Sequence, residues 1–266
     1  MPEIDLASEL RAAVAAVRDA ATVCQDVQRN LVTAATLEKK DRSPVTVADF
    51  ASQALVCSSL LASSKVHAVV GEENADELRE PGNEATRDQV AEHVRQIRGA
   101  DVGVEQALDW IDVGGVTPDG SQQRYWTLDP IDGTKGFLRG EQYAIALGLI
   151  EEGRVVLGVL GCPNLTGPDG KPGVLLSAVR GQGTQARPLA GTGEAGVTPI
   201  RVSDIERTAE ARFCESVESG HSDQDQSAQI AAALEITEEP VRVDSQAKYA
   251  IVARGEAQIY LRLPTR

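Results

Sequence analysis

Apolar residues recur at helical spacing along the first segment of the chain, at Leu10, Val14, Val17, Ala21, Cys24 and Leu31, with the polar Gln28 interrupting them. That period predicts an amphipathic helix over Leu6–Arg29. Ser43-Pro44-Val45-Thr46 then breaks the chain, and Thr46 followed by Asp49 has the form of a capping box, with Asp in place of the usual Glu. Phe50, Ala54, Cys57 and Leu61 carry a second helix, and Val66–Val70 reads as a short strand ending at Gly71-Glu72-Glu73. Residues Asn74–Gln123 are polar and acidic, with a weak helical stretch at Arg87–Ile97, and read as a long surface excursion. Tyr143–Ile150 and Arg154–Leu160 flank Glu151-Glu152-Gly153, a hairpin signal. A second hairpin is expected within Val174–Leu189, around Gly181-Gln182-Gly183. Gly161–Gly173, rich in Gly and Pro, reads as a linker. Helix and strand then alternate: Ser222–Glu235 helix, Val241–Val243 strand, Ser245–Arg254 helix, Ala257–Leu263 strand. The fold class is therefore α/β (α+β).

Composition narrows the function. The 266 residues carry a formal charge of −14, a poor match for nucleic acid or an anionic membrane surface. No apolar run reaches membrane-spanning length, and the acidic first residues are unlike a signal or transit peptide, so a cytoplasmic protein is expected. Cys24, Cys57, Cys162 and Cys214 are far apart, and with only three His a zinc site is not expected; reduced, buried thiols are.

The chemistry concentrates in Trp126-Thr127-Leu128-Asp129-Pro130-Ile131-Asp132-Gly133-Thr134. Pro130 fixes φ and Gly133 permits a tight turn, so Asp129 and Asp132 can address one place, with the Ile131 carbonyl between them. Close carboxylates resist joint ionisation unless a cation sits among them, and oxygen donors of this kind suit Mg²⁺. Taken alone, the segment reads more readily as a turn with a solvated Asp than as a metal site. Glu72-Glu73 alone reads as surface, and Asp49 as a residue favoured near a helix start.

Taken together, Ser43-Pro44-Val45-Thr46-Val47-Ala48-Asp49, Val69-Val70-Gly71-Glu72-Glu73 and the Asp129 segment resemble the lithium-sensitive, magnesium-dependent phosphomonoesterases of the inositol monophosphatase superfamily. Asp129-Pro-Ile-Asp-Gly-Thr-Lys-Gly-Phe-Leu-Arg-Gly-Glu-Gln-Tyr143 is similar to the 3′(2′),5′-bisphosphate nucleotidase branch. So are Gly220-His221-Ser222, Asp244-Ser245-Gln246-Ala247-Lys248-Tyr249 and Tyr260-Leu261-Arg262-Leu263-Pro264.

The resemblance implies a layered αβαβα sandwich with an incomplete C-terminal layer. It implies a metal-carrying α+β unit over 1–165 and a partial α/β unit over 166–266 that holds the nucleotide. Glu72, Asp129, the Ile131 carbonyl and Asp132 would hold Mg²⁺, and Asp49 with Thr134 would relay a proton from the attacking water. Thr134, His221, Ser245, Lys248 and Arg262 would contact the nucleotide. Read without the family, His221 fits a helix N-terminal turn, while Lys248 and Arg262 fit surface charges. The implied reaction is removal of the 3′-phosphate of adenosine 3′,5′-bisphosphate, with the 5′-phosphosulfate analogue a second candidate substrate. The implied partner is that small nucleotide, not nucleic acid or membrane, on a chain expected to be monomeric. An inositol polyphosphate 1-phosphatase and a non-catalytic binder of the nucleotide or Mg²⁺ are the alternatives. In the family, more chain follows the Leu-Arg-Leu-Pro strand and carries a Trp-Asp motif that completes the second metal site. The sequence given stops at Arg266, so weak or absent hydrolysis is expected of it.

Overall fold

The computed structural model describes residues 5–33, 43–118, 123–191, 196–217 and 224–263. Two helices, α1 (Leu6–Thr33) and α2 (Ser43–Ser63), pack side by side. The second helix begins at Ser43, so Thr46 lies inside its first turn instead of capping it. Pro44 explains the earlier start: its fixed φ suits a first turn, where its missing N–H needs no partner.

A seven-stranded sheet runs in sequence order: β1 (Val69–Val70), β2 (Arg124–Asp132), β3 (Ala144–Glu151), β4 (Arg154–Thr166), β5 (Pro172–Val179), β6 (Thr184–Pro188) and β7 (Thr198–Ile200). The β1–β2 pair is parallel and the others antiparallel. Both expected hairpins are present. Glu152 and Gly153, with φ of 51° and 73°, make the turn between β3 and β4, as a right-twisted hairpin requires. Strand β1 is shorter than the Val66–Val70 expectation, since only Val69 and Val70 register with Trp126 and Thr127.

The expected linker is instead strand and hairpin loop. Strand β4 continues to Thr166, with Cys162 opposite Val174 and Thr166 opposite Pro172. Gly161 serves packing there, because a Cβ would meet Val17 Cγ1 of α1 at 2.7 Å. The sheet thus draws on strands from both sides of position 165.

The stretch after β1 is also not a bare surface excursion. It forms α3 (Asp76–Arg79), α4 (Glu84–Arg98) and α5 (Val104–Asp112). Val90, Ala91, Val94, Ala107, Leu108 and Ile111 are buried in the same core as α1, α2 and one face of the sheet. Arg98 ties this unit down, donating to the Leu55 carbonyl at 2.9 Å and pairing with Asp19 at 2.6 Å.

Helix α8 (Ala247–Ala253) lies between β4 of the large sheet and a three-stranded parallel sheet, ordered β10 (Ile259–Tyr260), β8 (Phe213–Glu215), β9 (Val241–Arg242). Ala144, Cys162, Cys214, Val243, Ala247 and Ile251 form the core between the two sheets. On the far side of the small sheet, Ile230 and Ala231 of α7 (Gln224–Ala233) pack against Ala211, Phe213 and Ile236. The order helix, sheet, helix, sheet, helix is the layering that the family resemblance implies. All four cysteines are buried and free, and no helix among the described residues is long and apolar enough to cross a membrane.

Candidate metal centre and adjoining pocket

Strand β2 delivers Asp129 and Asp132 to one end of the large sheet. In an unbroken strand, residues three apart face opposite sides. Here the pairing shifts: Asp129 lies opposite Ala146 and Asp132 opposite Ala144, so one extra residue bulges out of β2. The bulge brings the two carboxylates into one neighbourhood. Ile131 buries its side chain in the core, and the Ser52 hydroxyl of α2 donates to the Pro130 carbonyl at 3.0 Å. Gly133 closes the turn at φ 90°, where a Cβ would meet Ser245 Cβ at 2.7 Å. Thr134 opens the short helix α6 (Thr134–Leu138) and is exposed.

Asp49 approaches from α2 with only 9% of its surface exposed. Burial, then Glu73, Glu72 and Asp129 nearby, pushes its carboxyl up to about 8. Asp129 is pushed up to about 7 by burial, then by Asp132 and Glu72, while the Ile131 N–H draws it back. Burial and Glu72 also raise Glu73. The Asp129 Oδ1 atom is buried and accepts no hydrogen bond. Asp132 differs, because one of its oxygens accepts the Gln246 N–H.

Five carboxylates therefore share one electrostatic neighbourhood: Asp49, Glu72, Glu73, Asp129 and Asp132. Yet no group of three or more His, Cys, Asp or Glu among the described residues closes on a point that could hold a metal. Buried oxygens, one of them lacking any donor, match what a hard divalent cation takes.

A pocket of about 500 Å³ opens beside Asp129 and Asp132 and includes Thr134, Ser245, Lys248 and Arg262. Ser245 sits at φ 64° in the turn before α8, so the helix starts at Ala247, later than the Ser245 expected. The Ser245 hydroxyl accepts the Ala247 N–H at 3.1 Å. Lys248 is 6% exposed, donates to the Val243 carbonyl at 3.2 Å and lies 5.8 Å from the centre of the Tyr260 ring. Burial lowers its pKa, against the opposing pull of Asp132 and Asp244. Arg262 is exposed at the pocket wall. Asp244 is buried, pairs with Arg139 and leaves its Oδ1 without a partner.

The structure thus brings together Asp49, Glu72, Asp129 and Asp132, and sets Thr134, Ser245, Lys248 and Arg262 around the adjoining pocket. No hydrogen bond among the described residues joins the Thr134 hydroxyl to Asp49. His221 lies outside the described residues. Glu73, Asp244 and Gln53 were not singled out from the sequence. The adjacency of Glu73 to Glu72, and of Asp244 to Ser245, is the signal available for the first two.

The inositol monophosphatase family description matches residues 5–266. The chain belongs to the inositol monophosphatase family. Among relatives in this family, a rice 3′(2′),5′-bisphosphate nucleotidase is 43% identical over 97% of this chain and 76% of its own length. An Arabidopsis thaliana 3′(2′),5′-bisphosphate nucleotidase 1 is 42% identical over 96% of the chain and 77% of its own length. The family fold is also seen in the crystal structure of CysQ from Bacteroides thetaiotaomicron, with a TM-score of 0.63 and 19% identity over 96% of this chain and 79% of that one. An inositol monophosphatase from Zymomonas mobilis gives a TM-score of 0.60 at 16% identity, covering 97% and 77%.

Proposed function

We propose that this family member is a Mg²⁺-dependent phosphomonoesterase that removes the 3′-phosphate from adenosine 3′,5′-bisphosphate, leaving AMP. The observation that carries the reading is the crowded set of carboxylates, with Asp49 buried and the Asp129 Oδ1 buried and unpartnered, opening onto a pocket that holds Lys248 and Arg262. Lys248 and Arg262 on the wall of a pocket that also holds Asp129 and Asp132 fit a doubly phosphorylated ligand bridging to divalent metal. The names of the rice and Arabidopsis relatives favour the nucleotide over an inositol phosphate.

Glu72, Asp129, Asp132 and the Ile131 carbonyl would hold the ion. When bound, it supplies positive charge that polarises the phosphate and makes water more acidic. The chain's own residues do the rest. Burial and the neighbouring carboxylates keep Asp49 protonated in the metal-free chain; with their charge offset by a bound cation it would ionise and accept the proton of the Thr134 hydroxyl as that hydroxyl takes one from water. Lys248, cationic and desolvated, pairs with a phosphate of the nucleotide, helped by Arg262, Ser245 and His221. The Gly133–Ser245 contact keeps the two halves of the site in register.

The test is phosphate release from adenosine 3′,5′-bisphosphate by the purified chain and by D129N, each with Mg²⁺ or with chelator. Slow release that needs Mg²⁺ and vanishes in D129N is expected of this 266-residue chain, with phosphate released still more slowly from inositol 1,4-bisphosphate. Release that persists in chelator, or that D129N leaves unchanged, overturns the proposal.

A further inference from the structure

The Glu72-Glu73 turn has little to hold it. Strand β1 ahead of it is two residues long, and the Glu72 side chain is exposed. The backbone of both glutamates is held by one buried amide from another element. Gln53, on α2, is fully buried. Its Oε1 accepts the N–H of Glu72 at 3.2 Å and of Glu73 at 3.0 Å. Its Nε2 donates to the Glu73 carbonyl at 2.6 Å and to the Ile111 carbonyl of α5 at 2.8 Å. The partners fix the orientation of the amide, since two donors face the oxygen and two acceptors face the nitrogen.

Two glycines make room for it. A Cβ on Gly71 would lie 2.7 Å from Gln53 Cδ, and one on Gly114 would lie 2.9 Å from the same atom. Neither glycine has positive φ, so the demand at both is for space around this amide and not for unusual backbone. The Gly71 N–H also donates to the Gly114 carbonyl at 2.7 Å, so the two glycines clasp the amide from both sides. Gln53 stands four residues after Asp49, on the same face of α2. One helix face therefore carries both a buried acid and the clamp that sets where Glu72 and Glu73 stand relative to it.

We propose that Gln53 is a positioning residue for the divalent-cation site: its side-chain amide holds the Glu72-Glu73 backbone at a fixed offset from Asp49, and this offset sets the site's cation affinity. The inference rests on the metal-dependent reading above.

The test uses the full 266-residue chain, with Mn²⁺ alone as the probe. Affinity is read by electron paramagnetic resonance at a temperature where every variant is folded, alongside hydrogen exchange at the Glu72 and Glu73 amides. Gln53→Met keeps the length and bulk of the side chain and removes all four hydrogen bonds. Mn²⁺ affinity is expected to fall at least tenfold, with faster exchange at both amides. Arg98→Met cuts ties between α4 and α2 away from the carboxylates. It is expected to lower the melting temperature with no change in Mn²⁺ affinity, which separates positioning from general loosening. If Gln53→Met does not fold, Gly114→Ala displaces the same amide, and the same thresholds apply. Mn²⁺ affinity within twofold of wild type in the folded variant overturns the inference, provided D129N lowers it. Absence of Mn²⁺ binding by the wild-type chain, unchanged in D129N, instead overturns the metal-dependent reading itself.

Discussion

Raising the pH of the metal-free chain strips a proton that the fold holds on Asp49, and stability should fall as it leaves. An unfolded aspartate loses its proton near ~3.9. Folded Asp49 keeps its proton up to about 8. Between those values the folded state binds more protons than the unfolded one, so stability decreases with rising pH. The contribution is complete below the unfolded value and lost as pH climbs through the folded one. At ~1.4 kcal/mol per pH unit, that span amounts to on the order of 5 kcal/mol. Asp129, raised to about 7, and Glu73, also raised, act in the same direction. These carboxylates repel one another and titrate as a coupled set, so their effects do not add. The assay is urea unfolding in chelator at a series of pH values, for wild type and Asp49→Asn. Wild-type stability should drop by several kcal/mol from mildly acidic to mildly alkaline pH. Asp49→Asn should flatten most of that slope and overtake wild type at the alkaline end. Mg²⁺ at a hundredfold excess over its dissociation constant should restore ~2.7 kcal/mol at alkaline pH. A wild-type profile that is flat or rising in chelator, or an Asp49→Asn profile with the wild-type slope, refutes the reasoning.

Other expectations follow from single contacts. Gly133→Ala places a Cβ against Ser245 at a positive φ and should cost ~1–2 kcal/mol by urea unfolding, with activity falling further because two halves of the site are displaced. Unchanged activity would separate the turn from the site. Lys248→Met should raise KM for adenosine 3′,5′-bisphosphate at least tenfold in steady-state assays, since a buried charge facing phosphate is lost; an unchanged KM would place the nucleotide elsewhere. Millimolar Li⁺ should inhibit phosphate release, as the family resemblance implies, and indifference to Li⁺ would count against a Mg²⁺ position it can occupy.

Strong local periodicity was legible. The apolar stripe from Leu10 to Cys24 became α1, and Glu152-Gly153 became the hairpin turn it resembles. The helices after β1 were obscure because α4 buries only Val90, Ala91 and Val94 amid charged neighbours, so its apolar stripe is thin. Pro44 looked like a break because a proline that starts a helix and one that stops a helix read alike until the turn is seen. The Gly and Pro of 161–173 look like a linker although some serve close packing, as Gly161 does against Val17.

At the site, residue types and spacing exposed Asp129 and Asp132, but not the bulge that turns both to one side, because a bulge is a property of the pairing with β3. Gln53 lay hidden for a similar reason. A lone Gln within the apolar run of α2 carries no signal until the glycines at 71 and 114, distant in sequence, are seen to fold around it. The cations Lys248 and Arg262 were placed by resemblance, and they meet at the Asp129 pocket because α8 and the chain leaving β10, distant in sequence from Asp129, both border it.

The proposed function requires a divalent ion among these carboxylates. Anomalous diffraction from crystals of the chain soaked in Mn²⁺ tests it most directly. A peak touching both Asp129 and Asp132, absent in D129N crystals, is the predicted result. Density showing those two side chains ion-free at saturating Mn²⁺ would contradict the account.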